Sequence, residues 1–465
     1  MTSPEITVRG GAGGLEADLE DLATLARSSS GLAELLARAS AACHPVLVDP
    51  DLLASALLDP AGVARFEAAL LDALDGPGGL TALAATFAGR ALALEAAAET
   101  YAAADASLAE LADDLRWASG FLLPVTGGVL LAGVLARGLV DPAGTGADAA
   151  VLLHDPELWL TEHPGLVDDV AGALPGAAGL VGVLAPAAAP WFGGGDVRAA
   201  AGRLGQLWPD GTPVVTDLPD DAGAAATAPP RDVADLVAAL ARRAAASNSR
   251  TDQIDVRVIS HADGTRAYVV DIPGTADWNP PSATVNPQTH DLGTNVRVLG
   301  GDATTRQAAV AEALRRAGAG STDPVMLVGH SQGGMVAAQA AADAGTPDFD
   351  FDVRSVVTAG SPIARAGVPA PVQVLALENV HDLVPHLDAR ENDDDPNVTT
   401  VTFDAQQGSI GANHGVATAY EAGARAVDRS DDPSIAAFRA GAAPFLVAPG
   451  EPATVVTHVY AIGRR

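Results

Sequence analysis

Ser331 stands in a setting that could turn a hydroxyl into a nucleophile. It is the central residue of Gly329-His330-Ser331-Gln332-Gly333. The apolar run Val325-Met326-Leu327-Val328 leads into this stretch and an alanine-rich run leads out of it. A strand, a very tight turn and a helix in that order are what a nucleophile elbow requires. Glycine at 329 and 333 lets the strand and the helix come close, because a side chain at either place would collide with the other element. Gln332 opens the predicted helix. Its backbone amide points at the site, where the positive helix end favours developing negative charge, so it is the expected first oxyanion donor.

A serine hydroxyl needs a base to take its proton, and the base needs an acid to fix its tautomer. In an elbow-type hydrolase these follow the serine in the order acid, then histidine. His414, in Gly411-Ala412-Asn413-His414-Gly415, lies in a glycine-flanked loop after the last clear internal strand and is the expected base. His458 sits in an alternating strand, and His381 and His386 flank the acid too closely to serve. Asp382 follows the predicted strand Val372 to Leu377 and is the expected acid, with Glu378 and Asp388 as rivals. An acid at the carboxyl end of a strand faces the same sheet edge as the elbow. The second oxyanion donor is expected at Thr275, in Pro273-Gly274-Thr275 after the strand that ends at Ile272.

No metal and no cofactor is implied. Asp393-Asp394-Asp395 lacks the spacing of a calcium loop. The single cysteine, Cys43, excludes a cysteine-built zinc site and an intrachain disulfide, and no disulfide-linked partner is expected.

The elements that must hold these residues follow from periodicity. Ile254, Val256 and Val258 alternate as in a strand, Asp263-Gly264 signals a hairpin turn, and Ala267 to Ile272 is the return strand. Predicted helices over 306–317 and 335–344 then alternate with strands over 325–328, 353–358, 372–377 and 398–403. That alternation predicts an α/β fold, with a mostly parallel sheet covered on both faces. Residues 248–465 form the expected α/β-hydrolase domain. Residues 209–247 read as a linker and connecting helix, and 1–208 as an α-helical N-terminal domain. Within the latter, leucines recur at helical spacing between 15 and 39, Pro60 sits at a first helical turn, and Leu80 to Trp117 reads as one long helix. Residues 276–295 read as a long loop carrying Trp278, either a lid or a surface excursion.

The C-terminal half resembles an α/β-hydrolase close to the class 3 lipases. The resemblance rests on Gly274-Thr275 after an early strand, the elbow Gly329 to Gly334, the acid loop Asp382 to Pro385 and His414 before a helix. It implies hydrolysis of carboxylic esters, often of lipids, without a metal. Pro273 and Asp271 depart from the usual oxyanion loop. The N-terminal half resembles small helical substrates of actinobacterial type VII secretion, through Tyr101 and Asp105 one helical turn apart.

Composition narrows the partners. The formal net charge is -31 and all 27 basic residues are arginine, so long-range repulsion from nucleic acid is expected and none is a predicted partner. The N-terminus lacks a basic stretch followed by an apolar core, so no Sec-type signal is read there. Residues 117–136 are uncharged and apolar but interrupted by Pro124, Gly127, Gly128 and Gly133. They read as a buried or interfacial hairpin with a possible membrane contact. The expected protein is a serine esterase or lipase acting on an ester or lipid substrate, either cytoplasmic or exported by a type VII-like route. A secretion chaperone or self-association through the N-terminal helices would be its further partner. The alternatives are a secreted phospholipase, an acyltransferase-type effector and a catalytically silent export or interaction protein.

Overall fold

The computed structural model describes residues 4–13, 15–95, 197–219, 225–278 and 281–465. The stretch 117–136 and the pair Tyr101 and Asp105 lie outside the described residues. Among the described residues no helix is long and apolar enough to cross a membrane.

A nine-stranded sheet carries the C-terminal half. In chain order its strands are β1 (Ile6–Gly10), β2 (Pro213–Leu218), β3 (Asp252–His261), β4 (Arg266–Ile272), β5 (Pro324–His330), β6 (Asp352–Ala359), β7 (Gln373–Asn379), β8 (Val398–Phe403) and β9 (Ala453–Arg464). Their order across the sheet is β1-β8-β7-β6-β5-β4-β3-β9-β2. β4 to β8 are parallel, whereas β3 pairs antiparallel with β4 across the Asp263-Gly264 turn. The expected α/β-hydrolase sheet is thus present, with antiparallel strands at its two edges.

Both faces are apolar because successive side chains on the central strands point to opposite sides. On β5, Val325 and Leu327 join the core beneath helices Thr305–Arg316 and Gln332–Ala342, while Met326 and Val328 join the core beneath helix Val233–Ala246. Asp232 and Thr304 cap the first amides of their helices, and the second helix starts one residue before the expected 306.

The sheet also takes in two strands from outside 248–465. β1 pairs with β8, and β2, within the stretch whose composition reads as a linker, pairs with β9. Both are short edge strands. β2 is closed in by Thr212 and Arg465, which exchange backbone hydrogen bonds.

Residues 15–95 belong to a separate helical unit. It contains helices Leu15–Cys43, Pro50–Ser55 and Pro60–Asp75 and a helical run over 80–95. Asp59 caps the third helix and Pro60 occupies its first turn, as expected. Cys43 ends the first helix, partly buried. The ring of His44 is held between the Ser40 carbonyl at 2.8 Å and Asp75 at 2.9 Å, and both contacts raise its pKa.

Candidate functional site

The site lies at the carboxyl ends of β4, β5 and β7. Ile272 on β4 sits level with Gly329 on β5, so the loop carrying Thr275 and the turn carrying Ser331 leave the sheet side by side. Ser331 has φ 54° and ψ -125°, a left-handed backbone uncommon for a residue with a side chain. The turn can be this tight because its flanks are glycine. A Cβ on Gly333 would lie 1.9 Å from the Ile272 carbonyl oxygen, and one on Gly329 would lie 2.4 Å from Gly333. The Ser331 amide donates to the Ala359 carbonyl at 3.0 Å, tying the bend to β6.

His414 ends the short helix Ile410–His414, which Ser409 caps. Its Nδ1 lies 2.7 Å from Asp382 Oδ2. Asp382 is fully buried, whereas the imidazole remains partly open to solvent. With a carboxylate at Nδ1, the proton rests there and Nε2 is left as the basic nitrogen. Asp382 is fixed twice more, since its Oδ1 accepts the Val384 amide at 3.0 Å and its own amide donates to the Asn379 carbonyl at 2.8 Å. Asn379 also donates through Nδ2 to the Asn413 carbonyl at 3.0 Å, which ties the histidine loop to β7.

Two residues that the sequence reading leaves aside complete this arrangement. Tyr420 is buried edge-on against Phe403, and its hydroxyl donates to Asp382 Oδ2 at 2.6 Å, the oxygen that also meets His414. Burial, and then the charge of Asp382, hold that phenol well above its ordinary pKa, so it remains a donor. His330 lies under His414 with ring centroids 4.5 Å apart, and its Nε2 contacts the His414 carbonyl oxygen at 2.8 Å. Burial, and then the neighbouring His414, pull its pKa down to about 3, so it stays neutral and donates to that carbonyl. Only a histidine next to the serine hinted at the second contact, and spacing gives no signal for Tyr420.

The rival acids point elsewhere. Glu378 accepts from Asn392 at 2.7 Å, and Asp388 accepts the Ala364 amide at 3.0 Å. His381 contacts Asp404 at the surface and His458 lies on β9 beside Tyr460. Asp271, on β4 two residues before Pro273, pairs at 2.7 Å with buried Arg257 of β3.

Ser331, His414 and Thr275 line one cavity of about 500 Å³. Among the described residues no hydrogen bond joins Ser331 Oγ to His414 Nε2. Leu292, Val296, Leu299, Met335, Leu387 and Ile410 make much of the wall apolar. Trp278 stands at the wall with 68% of its surface exposed. Part of the expected long loop is in fact helix Leu292–Leu299, started by Asp291, whose carboxylate accepts the Thr294 amide. Asn295 on that helix exchanges hydrogen bonds with the Thr275 hydroxyl at 2.9 and 3.2 Å. A larger groove, at the hairpin turn and the amino ends of β4 and β5, holds none of these residues.

The sheet and the helices covering it give the C-terminal half an α/β-hydrolase-type fold. Residues 284–436 match the family model of the PGAP1-like alpha/beta domain, which supports a lipase-like hydrolase assignment for this half. The matched stretch includes Ser331, Asp382 and His414 and begins after Thr275. No curated protein and no solved structure matches the chain.

Proposed function

We propose that this protein is a serine hydrolase that cleaves a carboxylic ester through an acyl-enzyme intermediate, with Ser331 as nucleophile, His414 as base and Asp382 as the orienting acid. The observation that carries the reading is the 2.7 Å contact of His414 Nδ1 with buried Asp382, on the wall of the cavity that Ser331 faces.

In this reading Ser331 turns its hydroxyl toward Nε2. The proton passes to Nε2 as Oγ bonds to the ester carbon, and the carbonyl electron pair moves onto oxygen. The amides of Gln332 and Thr275 receive that oxyanion. Nε2 then gives its proton to the departing alkoxide, leaving an alcohol and acylated Ser331. A water molecule, deprotonated by Nε2, releases the acid and restores the serine. Asp382 stays ionised throughout and stabilises the imidazolium. The apolar lining supports an aliphatic acyl group, and exposed Trp278 supports entry from a lipid phase.

The test is turnover of a short p-nitrophenyl ester by the full chain. Ser331→Ala is expected to lower kcat by about 10⁴-fold or more. A variant that keeps wild-type turnover refutes the assignment. Replacing water by an acceptor alcohol, and the ester by a glycerophospholipid, separates esterase from acyltransferase and phospholipase use of the same residues.

A further inference from the structure

Resting on the esterase reading above, we propose that Arg306 is a positioning residue that clamps both halves of the oxyanion site through one buried guanidinium. Arg306 lies in the first turn of helix Thr305–Arg316, fully buried. A cation there faces the positive end of its own helix, which local preference disfavours. Its contacts explain the placement. Nη1 donates to the Gln332 side-chain oxygen at 2.6 Å, and Nη2 donates to the Pro273 carbonyl at 3.0 Å. Nη2 also meets Asp252 Oδ1 at 3.0 Å, which supplies the counter-charge.

One bridged side chain belongs to the residue of the first oxyanion donor, and the other contact anchors the loop of the second. Pro273 lies two residues before Thr275, so its carbonyl fixes the start of the short loop that carries the Thr275 amide, while Asn295 holds the Thr275 hydroxyl at its other end. Gln332 carries the other amide. Its side chain is held at both ends, because Nε2 donates to the Asp291 carbonyl at 2.6 Å. Asp291 starts helix Leu292–Leu299, from which Asn295 holds the Thr275 hydroxyl. A closed circuit thus runs from Arg306 through Gln332, Asp291 and Asn295 to Thr275, and back through Pro273. A planar fork can hold two acceptors at a fixed separation, whereas an ammonium cannot, so lysine would keep the charge opposite Asp252 and lose the geometry.

The experiment compares Arg306→Lys with wild type in three measurements. These are turnover of a p-nitrophenyl ester per titrated active site, affinity for a trifluoromethyl ketone that mimics the tetrahedral adduct, and the melting midpoint. The expected result is a kcat lower by about 10- to 100-fold with KM within about threefold, since donors displaced by a fraction of an ångström to an ångström fail mainly in the transition state. Mimic affinity should fall in step with kcat/KM. A merely structural role would lower the melting midpoint and leave mimic affinity per active site unchanged, and that result overturns the proposal. Should the lysine variant not fold, Gln332→Met keeps the Arg306–Asp252 pair and the 332 amide while cutting the circuit. The same loss of mimic affinity supports the clamp, and wild-type affinity overturns it. If Ser331→Ala retains turnover, the esterase reading falls and the clamp with it. If Ser331→Ala is inert while Arg306→Lys and Gln332→Met behave as wild type, only the clamp falls.

Discussion

Asp382→Asn tests the link between acid and base with almost no change of shape. In the wild type Oδ2 receives Tyr420 Oη–H at 2.6 Å and faces His414 Nδ1 at 2.7 Å, and Oδ1 receives the Val384 amide at 3.0 Å. Asparagine offers one oxygen and one NH2. If the oxygen keeps the His414 side, the NH2 confronts the Val384 N–H, a buried donor–donor contact costing about 1–3 kcal/mol. With the amide turned over, Val384 keeps its acceptor and the NH2 donates to Nδ1, but the buried Tyr420 O–H loses its acceptor at a cost of the same order. Where the second arrangement is populated, the imidazole proton moves to Nε2, which then cannot accept from Ser331. Loss of the negative charge beside the imidazolium adds to this. The combined effect expected is a kcat about 10³- to 10⁴-fold lower, or about 4–5.5 kcal/mol in the barrier. The assay is p-nitrophenyl ester hydrolysis on folded protein, with the melting midpoint as control. A folded Asp382→Asn variant within tenfold of wild type refutes the reasoning.

Other outcomes follow from single residues. Tyr420→Phe removes a donor from a buried carboxylate and should lower unfolding free energy by about 1.5–3 kcal/mol; an unchanged denaturant midpoint contradicts this. Gly333→Ala places a Cβ 1.9 Å from the Ile272 carbonyl oxygen and should abolish soluble expression or turnover. Gly408→Ala, which meets nothing within 4 Å, should change neither. Burial raises the Asp388 carboxyl to about 7, so between about pH 4 and 7 the folded chain holds a proton that the unfolded chain has released. The contribution of this group to stability is therefore full at low pH and lost as pH rises through 7. Asp388→Asn should shrink the difference in unfolding free energy between about pH 5 and pH 8, as read by chemical denaturation; an unchanged difference argues against it.

The elbow is legible in the sequence because its cause is local. A buried strand, two obligatory glycines and a helix start occupy eleven consecutive residues, Val325 to Met335, and the structure places each element there. The Asp263-Gly264 hairpin is local in the same way. Asp382 and His414 are legible by order along the chain, although their contact spans 32 positions. Tyr420 is invisible for the opposite reason. It reaches Asp382 only through the helical turn after His414, and a buried tyrosine in an apolar run reads as core. Arg306 looks like one more helical arginine until β3, β4 and the elbow converge on it. β1 and β2 are short edge strands whose partners lie hundreds of residues away, and five or six residues of modest alternation cannot reveal such pairing. The 276–295 segment misleads because Pro, Asn and Thr outweigh the Asp291 cap that starts a helix within it.

The central claim is that the Ser331 hydroxyl becomes covalently acylated with help from His414. Its most direct test is the mass of the full chain after a fluorophosphonate probe, followed by mapping of the modified peptide. A single adduct on Ser331, absent from Ser331→Ala and slowed by orders of magnitude in His414→Ala, is the predicted result. An adduct on another residue, or equal labelling of wild type and His414→Ala, would contradict it.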